Sequence, residues 1–288
     1  MDSTLLAPLT TEDGLALHVR EWPATTLPAH GTVLVVHGLG EHIGRYEHVA
    51  QTLSRAGWRV IGYDQRGHGA SDGARGVLAH ADALLNDLAR VIDAVRAARP
   101  GPVVLLGHSL GGLVAARFVA GSVDGTADER AWAREVDALV LSSPALNAGM
   151  SSAQRLLLAA TAPLTPNLAV GNGLKPEWLS RDPAVVQAYG DDPLVHDRIT
   201  PRLAQFIVDA GTRVQQRAPR WRVPTLLLYA GADRCVAPAG SATFTAAAPA
   251  GVMTAREWPA LFHEIFNEPE REEVMAVLVE WLGARFAS

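Results

Sequence analysis

Short, mostly apolar runs recur along the chain and alternate with longer stretches in which apolar residues return every three or four positions. Thr32–Val36, Arg59–Tyr63, Val103–Leu106, Ala138–Ser142, Thr225–Tyr229 and Thr254–Trp258 have the length and composition of strands, and Leu15–Glu21 reads as an earlier one. Runs this apolar fit a sheet buried on both faces. Between them, Asp82–Arg99 places Leu84, Leu85, Leu88, Val91, Ile92 and Val95 at helical spacing. Pro269 suits the first turn of a last helix whose apolar face would be Val274, Val277, Leu278 and Trp281. Strand and helix alternating at this interval predict an α/β protein with a mostly parallel, doubly wound sheet.

Residues 145–218 break the rhythm. They contain no convincing strand, hold Pro163, Pro166, Pro176, Pro183, Pro193 and Pro201, and break into helix-like fragments. They read as an inserted helical cap, which leaves 1–144 and 219–288 as the core domain. The apolar stretch Leu156–Ala160 within the insertion fits either a face that meets lipid or a helix buried in an ordinary core.

Composition narrows the possibilities. The 288 residues are 48% hydrophobic and carry a net charge of −5, which suits a soluble globule and gives no footing for nucleic acid. Cys235 is the single cysteine, so no internal disulfide is available. Met1-Asp2-Ser3-Thr4 lacks the basic start and long apolar stretch of a secretion signal, and no apolar run reaches the roughly 18 residues of a membrane span. These features predict a soluble, cytoplasmic protein. They leave its oligomeric state open.

The chemistry is concentrated in Gly107-His108-Ser109-Leu110-Gly111. A strand enters this segment and a helix leaves it, with a serine at the tip: the G-x-S-x-G nucleophile elbow. Residues two before and two after the serine must be small for strand and helix to approach, and both are glycine. A serine hydroxyl needs a base, and the base needs an orienting acid. After an elbow serine the expected chain order is acid, then histidine. Asp233 follows the strand Thr225–Tyr229 and a glycine turn, and His263 stands in the loop before the last helix. Asp64 is a rival acid, but it precedes the serine and reads as part of a structural turn. The loop His37-Gly38-Leu39-Gly40-Glu41 has the character of an oxyanion loop, so the backbone N–H groups of Leu39 and Leu110 are the expected donors. Glu41 either supports that loop or faces solvent. His37 and His108 border the site as packing residues, and His196 reads as a surface residue of the insertion. Cys235, two residues beyond the acid, is either a thiol-sensitive neighbour of the site or a buried structural thiol. No metal-ligand spacing or phosphate-binding glycine loop is present in the sequence, and no cofactor is expected.

Taken in order, these motifs resemble the serine α/β-hydrolases of the monoacylglycerol lipase and lysophospholipase group. The resemblance runs from Gly14 to the last helix. It rests on His37–His42 with Arg45-Tyr46, Asp64–Ser71, Gly107–Gly112, Leu141–Ala145, Gly231–Arg234 and Phe262–Glu264, and in the insertion on Leu179–Asp182 and Asp192–Leu194. It implies an α/β-hydrolase fold: a mostly parallel eight-stranded sheet, helices on both faces and an inserted helical cap. It also implies a small lipid ester as substrate, above all a monoacylglycerol, and a cap that docks on lipid, for which Leu156–Leu158, Leu164 and Leu168 are the candidate face. A lysophospholipase, a general carboxylesterase, an acyltransferase with the same triad and a non-catalytic binder remain alternatives. A peptidase is disfavoured because the cap offers no evident acidic pair for a substrate amine.

Overall fold

The computed structural model describes residues 9–286. Met1–Thr4, read above for the lack of a secretion signal, lie outside the described residues. Seven strands form the central sheet: β1 (Val19–Trp22), β2 (Thr32–Val36), β3 (Arg59–Tyr63), β4 (Val103–His108), β5 (Ala138–Ser142), β6 (Thr225–Ala230) and β7 (Met253–Trp258). Their spatial order is β1-β3-β2-β4-β5-β6-β7, with β1 antiparallel to β3 and every other neighbouring pair parallel.

The mostly parallel sheet matches the sequence pattern, but an eighth strand is absent among the described residues. The region expected to supply an early strand, Leu15–Glu21, divides at His18. Ala16–Leu17 pairs back onto Leu9–Thr10 in a separate two-residue ladder, and only Val19–Trp22 joins the sheet. The division has a local cause. His18 donates its N–H to Ser71 Oγ at 2.8 Å and its carbonyl accepts from Asp64 N–H at 2.9 Å, so its backbone is spent on the turn after β3.

Period-two alternation then sorts the sheet side chains between two cores. Leu34, Val36, Leu105 and Leu227 pack with helices α2 (Ala83–Ala98) and α3 (Ser109–Asp124) on one face. Val33, Val35, Val104, Leu106, Leu226 and Leu228 pack on the other with α1 (Glu47–Arg55) and the carboxyl-terminal helix Arg271–Phe286. That last helix buries Val274, Met275, Leu278 and Leu282, while Val277 and Trp281 are only half-buried, so its inner face is turned slightly from the expected one.

A short helix α4 (Ala127–Trp132) precedes β5. The chain between β5 and β6 carries α5 (Ser152–Thr161), α6 (Pro183–Asp191) and α7 (Pro201–Arg217), plus a two-residue ladder of Val170–Gly171 with Arg198–Ile199 that sequence reading missed. α7 buries Leu203, Phe206, Ala210 and Val214 in the same core cluster as α3. Helices α8 (Pro238–Ala247) and α9 (Arg271–Phe286) follow β6 and β7. Among the described residues no helix is long and apolar enough to cross a membrane.

The chain leaves β2 for β3 on one side and later returns to β4 on the other. The β2–β4 junction is therefore the switch point where open α/β sheets place their ligands. Register pairs Val36 with Gly107, which sets the loop after β2 beside the start of α3. Contact there is close. A Cβ on Gly111 would lie 2.1 Å from the Val36 carbonyl oxygen, and one on Gly107 would lie 2.5 Å from that of Gly111. We expect Gly111→Ala to lower stability by about 2 kcal/mol or more through overpacking. Gly283→Ala, in open space on α9, is expected to raise stability by up to about 1 kcal/mol through helix propensity. Urea midpoints of the two variants test this, and a neutral Gly111→Ala contradicts the packing described.

Candidate active site

Three strand ends converge on Ser109. β4 ends at His108 and α3 begins at Ser109, with no residue between them in which to turn. Ser109 makes the turn at φ 52°, a left-handed conformation that is costly for a residue with a side chain. Its carbonyl accepts the Ala145 N–H at 3.0 Å, which anchors the elbow to the start of the chain between β5 and β6. The loops after β6 and β7 are pinned together where Gly231 N–H meets Trp258 O at 2.8 Å and Ala232 N–H meets Leu261 O at 3.2 Å. They bring Asp233 and His263 to the serine.

The three residues form one hydrogen-bonded chain. His263 Nε2 lies 2.8 Å from Ser109 Oγ, and His263 Nδ1 lies 2.7 Å from Asp233 Oδ2. An ionised carboxylate only accepts, so Nδ1 carries the hydrogen and Nε2 is left as the acceptor for the serine hydroxyl. The second oxygen of Asp233 accepts from the N–H groups of Cys235 at 2.7 Å and Val236 at 3.0 Å. Such a chain can deprotonate the hydroxyl as it attacks and hold the imidazolium that results.

Electrostatics fit that use. Burial opposes a charged imidazole, but the adjoining Asp233 carboxylate, with Glu264 and Glu41 further off, raises the His263 pKa. Burial works the other way on Asp233, yet His263 and the Val236 and Cys235 amides hold its pKa below the usual carboxylate value. The ring of His108 lies 4.8 Å from that of His263, and burial, then His263 itself, push His108 down to about 4. His108 stays neutral there, bonded through Nδ1 to Ser142 Oγ at 3.0 Å.

The loop after β2 lies against the elbow. Leu39, Ser109 and Leu110 border one cavity of about 320 Å3, lined further by Met150, Leu174, Ile199, Ala204, Ile207 and Val236. Gln154 and Asn172 are its polar members beyond the serine, and none of the residues lining it is acidic. Leu110 sits in the first turn of α3, where amides have no partner within the helix. Cys235 also borders the cavity, and burial, with Asp233 and Glu264, raises its thiol pKa. Asp233, Cys235 and His263 place donor atoms within 4.8 Å of one another, but Asp233 and His263 spend theirs on each other, on the serine and on amides.

Other singled-out residues fall outside this chain. Asp64 is buried and caps the turn after β3, accepting from Ile43 N–H at 2.7 Å and Ala70 N–H at 2.9 Å. His37 is buried and bonds to Gly38 O at 2.8 Å and Gln65 N–H at 2.9 Å. One expectation is overturned. His196 is half-buried, not superficial: its N–H meets Gly40 O at 2.8 Å and its ring lies 4.7 Å from that of His68. Arg45 and Glu264, read only as motif members, form a bidentate pair of 2.6 and 2.7 Å beside His263. That pair joins positions far apart in the chain, so no local spacing signalled it.

Residues 28–270 match the family described as serine aminopeptidase, S33. The chain belongs to this family. A monoacylglycerol lipase of Mycolicibacterium smegmatis is 34% identical over 265 residues, covering 91% of this chain and 90% of the relative. An uncharacterised abhydrolase domain-containing protein of Dictyostelium discoideum is 33% identical over 96% of this chain, which spans only 29% of that relative's length. The crystal structure of Paleococcus ferrophilus monoacylglycerol lipase superposes with a TM-score of 0.81 at 34% identity, covering 93% of this chain and 99% of that one. The S33-family member described here is thus an α/β-hydrolase of the serine type.

A base must be neutral to take a proton. Because the His263 pKa is raised above its ordinary 6.5, kcat/KM is expected to fall as pH drops through an apparent pKa above 6.5. Asp233→Asn should move that limb to lower pH and cut kcat by roughly 10^4-fold. A pH–rate profile checks both, and an acid limb below 6.5 in the unaltered protein contradicts the assigned environment.

Proposed function

We propose that this protein hydrolyses monoacylglycerols to fatty acid and glycerol through an acyl-enzyme on Ser109. The carrying observation is that the Ser109–His263–Asp233 chain opens onto an apolar cavity with no acidic residue in its lining. Ser109 Oγ attacks the ester carbonyl as His263 Nε2 takes its proton. Asp233 holds the imidazolium. The Leu39 and Leu110 N–H groups receive the tetrahedral oxyanion, a contribution whose loss costs on the order of 100-fold in rate per donor. Glycerol leaves with the proton from His263. Water, deprotonated by the same histidine, then attacks the acyl-serine and releases the acid.

The relative in Mycolicibacterium and the structure from Paleococcus support the substrate class. The family description names an aminopeptidase, and that reading fits less well. A substrate ammonium needs a facing carboxylate, whereas Glu41 and Glu264, the acids near the triad, are both bonded to Arg45. Ser109→Ala is expected to lower turnover of a monoacylglycerol by on the order of 10^4-fold or more while circular dichroism stays unchanged. Retained turnover sinks the acyl-enzyme reading. In the same assay, preferred cleavage of lysophospholipids or of an amino-terminal peptide bond moves the substrate assignment and leaves the triad in place.

The insertion at 145–218 serves in this reading as a cap that meets the lipid surface. Leu156 and Leu164 are 73% and 80% exposed, Leu157, Leu168 and Val170 are exposed in the same segment, and that segment also lends Met150 and Leu174 to the cavity. Leu158 turns inward. Burying one leucine side chain is worth roughly 1.5–3 kcal/mol. Changing both Leu156 and Leu157 to Ser is therefore expected to lower binding to phosphatidylcholine vesicles about tenfold or more, with turnover of a water-soluble short-chain ester unchanged. Equal sedimentation of both proteins with vesicles refutes the docking face.

A further inference from the structure

Glu41 lies in the loop that follows β2, yet it is only 4% exposed and both of its carboxylate oxygens are bonded within the protein. Its Oε1 accepts the Gly38 N–H at 2.6 Å and the Tyr46 hydroxyl at 2.7 Å, and its Oε2 accepts from Arg45 at 2.8 Å. Gly38 is held between this carboxylate and the serine: a Cβ there would lie 2.8 Å from Glu41 Oε1 and 3.2 Å from Ser109 Cβ. The same loop is held elsewhere by Gln65 Nε2 on the His37 carbonyl at 2.7 Å and by His196 N–H on the Gly40 carbonyl at 2.8 Å. Among the described residues the Leu39 N–H has no partner. The loop is thus tied on either side of the Leu39 amide, and Leu39 itself borders the cavity.

We infer that Glu41 is a positioning residue for the oxyanion hole: by holding the Gly38 peptide it aims the Leu39 N–H at the developing negative charge. The inference rests on the acyl-enzyme reading above. Arg45 extends the effect. Its guanidinium also grips Glu264, the residue after His263, and Glu264 N–H meets Leu179 O at 2.8 Å. One cation therefore joins the loop carrying the oxyanion donor to the loop carrying the base. Burial works to raise the Glu41 pKa, but the Arg45 guanidinium above all holds it down to about 2, so the side chain accepts and never donates across the working range. Arg45 also offsets a negative charge that would otherwise stand beside the oxyanion.

Two conservative variants separate reach from charge. Glu41→Gln keeps an oxygen in place for Gly38 and Tyr46 but loses the charge, while Arg45 retains Glu264. Glu41→Asp keeps the charge for Arg45 but is one methylene too short for Gly38. For a positioning role, Glu41→Asp should lose roughly 100-fold in kcat with KM within about threefold, as removal of an oxyanion donor does. Binding of a trifluoromethyl ketone, which places an oxyanion in the hole, should weaken in step. Glu41→Gln should stay within about tenfold of the unaltered protein in both measurements. Glu41→Asp matching or exceeding Glu41→Gln, or losses confined to thermal stability and KM, overturn the inference while the acyl-enzyme reading stands. An unaltered protein that turns over no ester and takes up no fluorophosphonate removes that reading, and this inference with it.

Discussion

The close approach of α3 to the sheet is the constraint on which the rest of the molecule depends. Ser109 can turn the chain at φ 52° only because Gly107 and Gly111 leave no side chain between strand and helix, where Gly111 rests on the carbonyls of Val36 and His37. A strained conformation persists only when its surroundings over-determine it. Here the register of β2 with β4, the Ser109–Ala145 hydrogen bond and the fully buried strands provide that rigidity. The same approach sets the loop after β2 against the serine, so one packing decision places both the hydroxyl and the amide of Leu39.

Around that point the protein buries charge. Glu41, Arg45 and Glu264 form a chain of two carboxylates on one guanidinium, and Asp233 lies close by. Buried ion pairs add little net stability, but losing one partner leaves an uncompensated charge that costs roughly 3–5 kcal/mol. Their use here is geometric and electrostatic. An Arg–carboxylate fork fixes orientation as well as distance. The surplus of negative charge favours a protonated His263, the state that forms during attack on an ester.

The chain between β5 and β6 takes part in this order. His196 N–H holds the Gly40 carbonyl, Asp192 pairs with His42 at 2.8 Å, and the aromatic ring of Tyr189 lies 4.8 Å from the Arg45 guanidinium. At the other end Arg181 grips buried Glu268, and α7 packs into the core with α3. The chain between β5 and β6 thus braces the loop after β2, while Leu156 and Leu157 on α5 stay exposed on the outside.

Local patterns determined much of this from the sequence alone. Apolar runs named the central strands because burial on both faces demands them, and Gly107–Ser109–Gly111 announced the elbow because only glycine tolerates the approach. Motif order also pointed to Ser109, Asp233 and His263, which the fold brings within hydrogen-bonding distance. Tertiary structure decided what depends on distant partners. β7 is an edge strand whose middle residues are exposed, although its pattern resembled an inner one. The early strand divides at His18 because Ser71 and Asp64 capture its backbone. Glu41 could be read as solvent-facing until Gly38, Tyr46 and Arg45 closed on it, and His196 as superficial until Gly40 met it. Periodicity and turn chemistry report a residue's neighbours along the chain; which buried charges pair and which faces stay open depends on segments that meet only when the sheet is assembled.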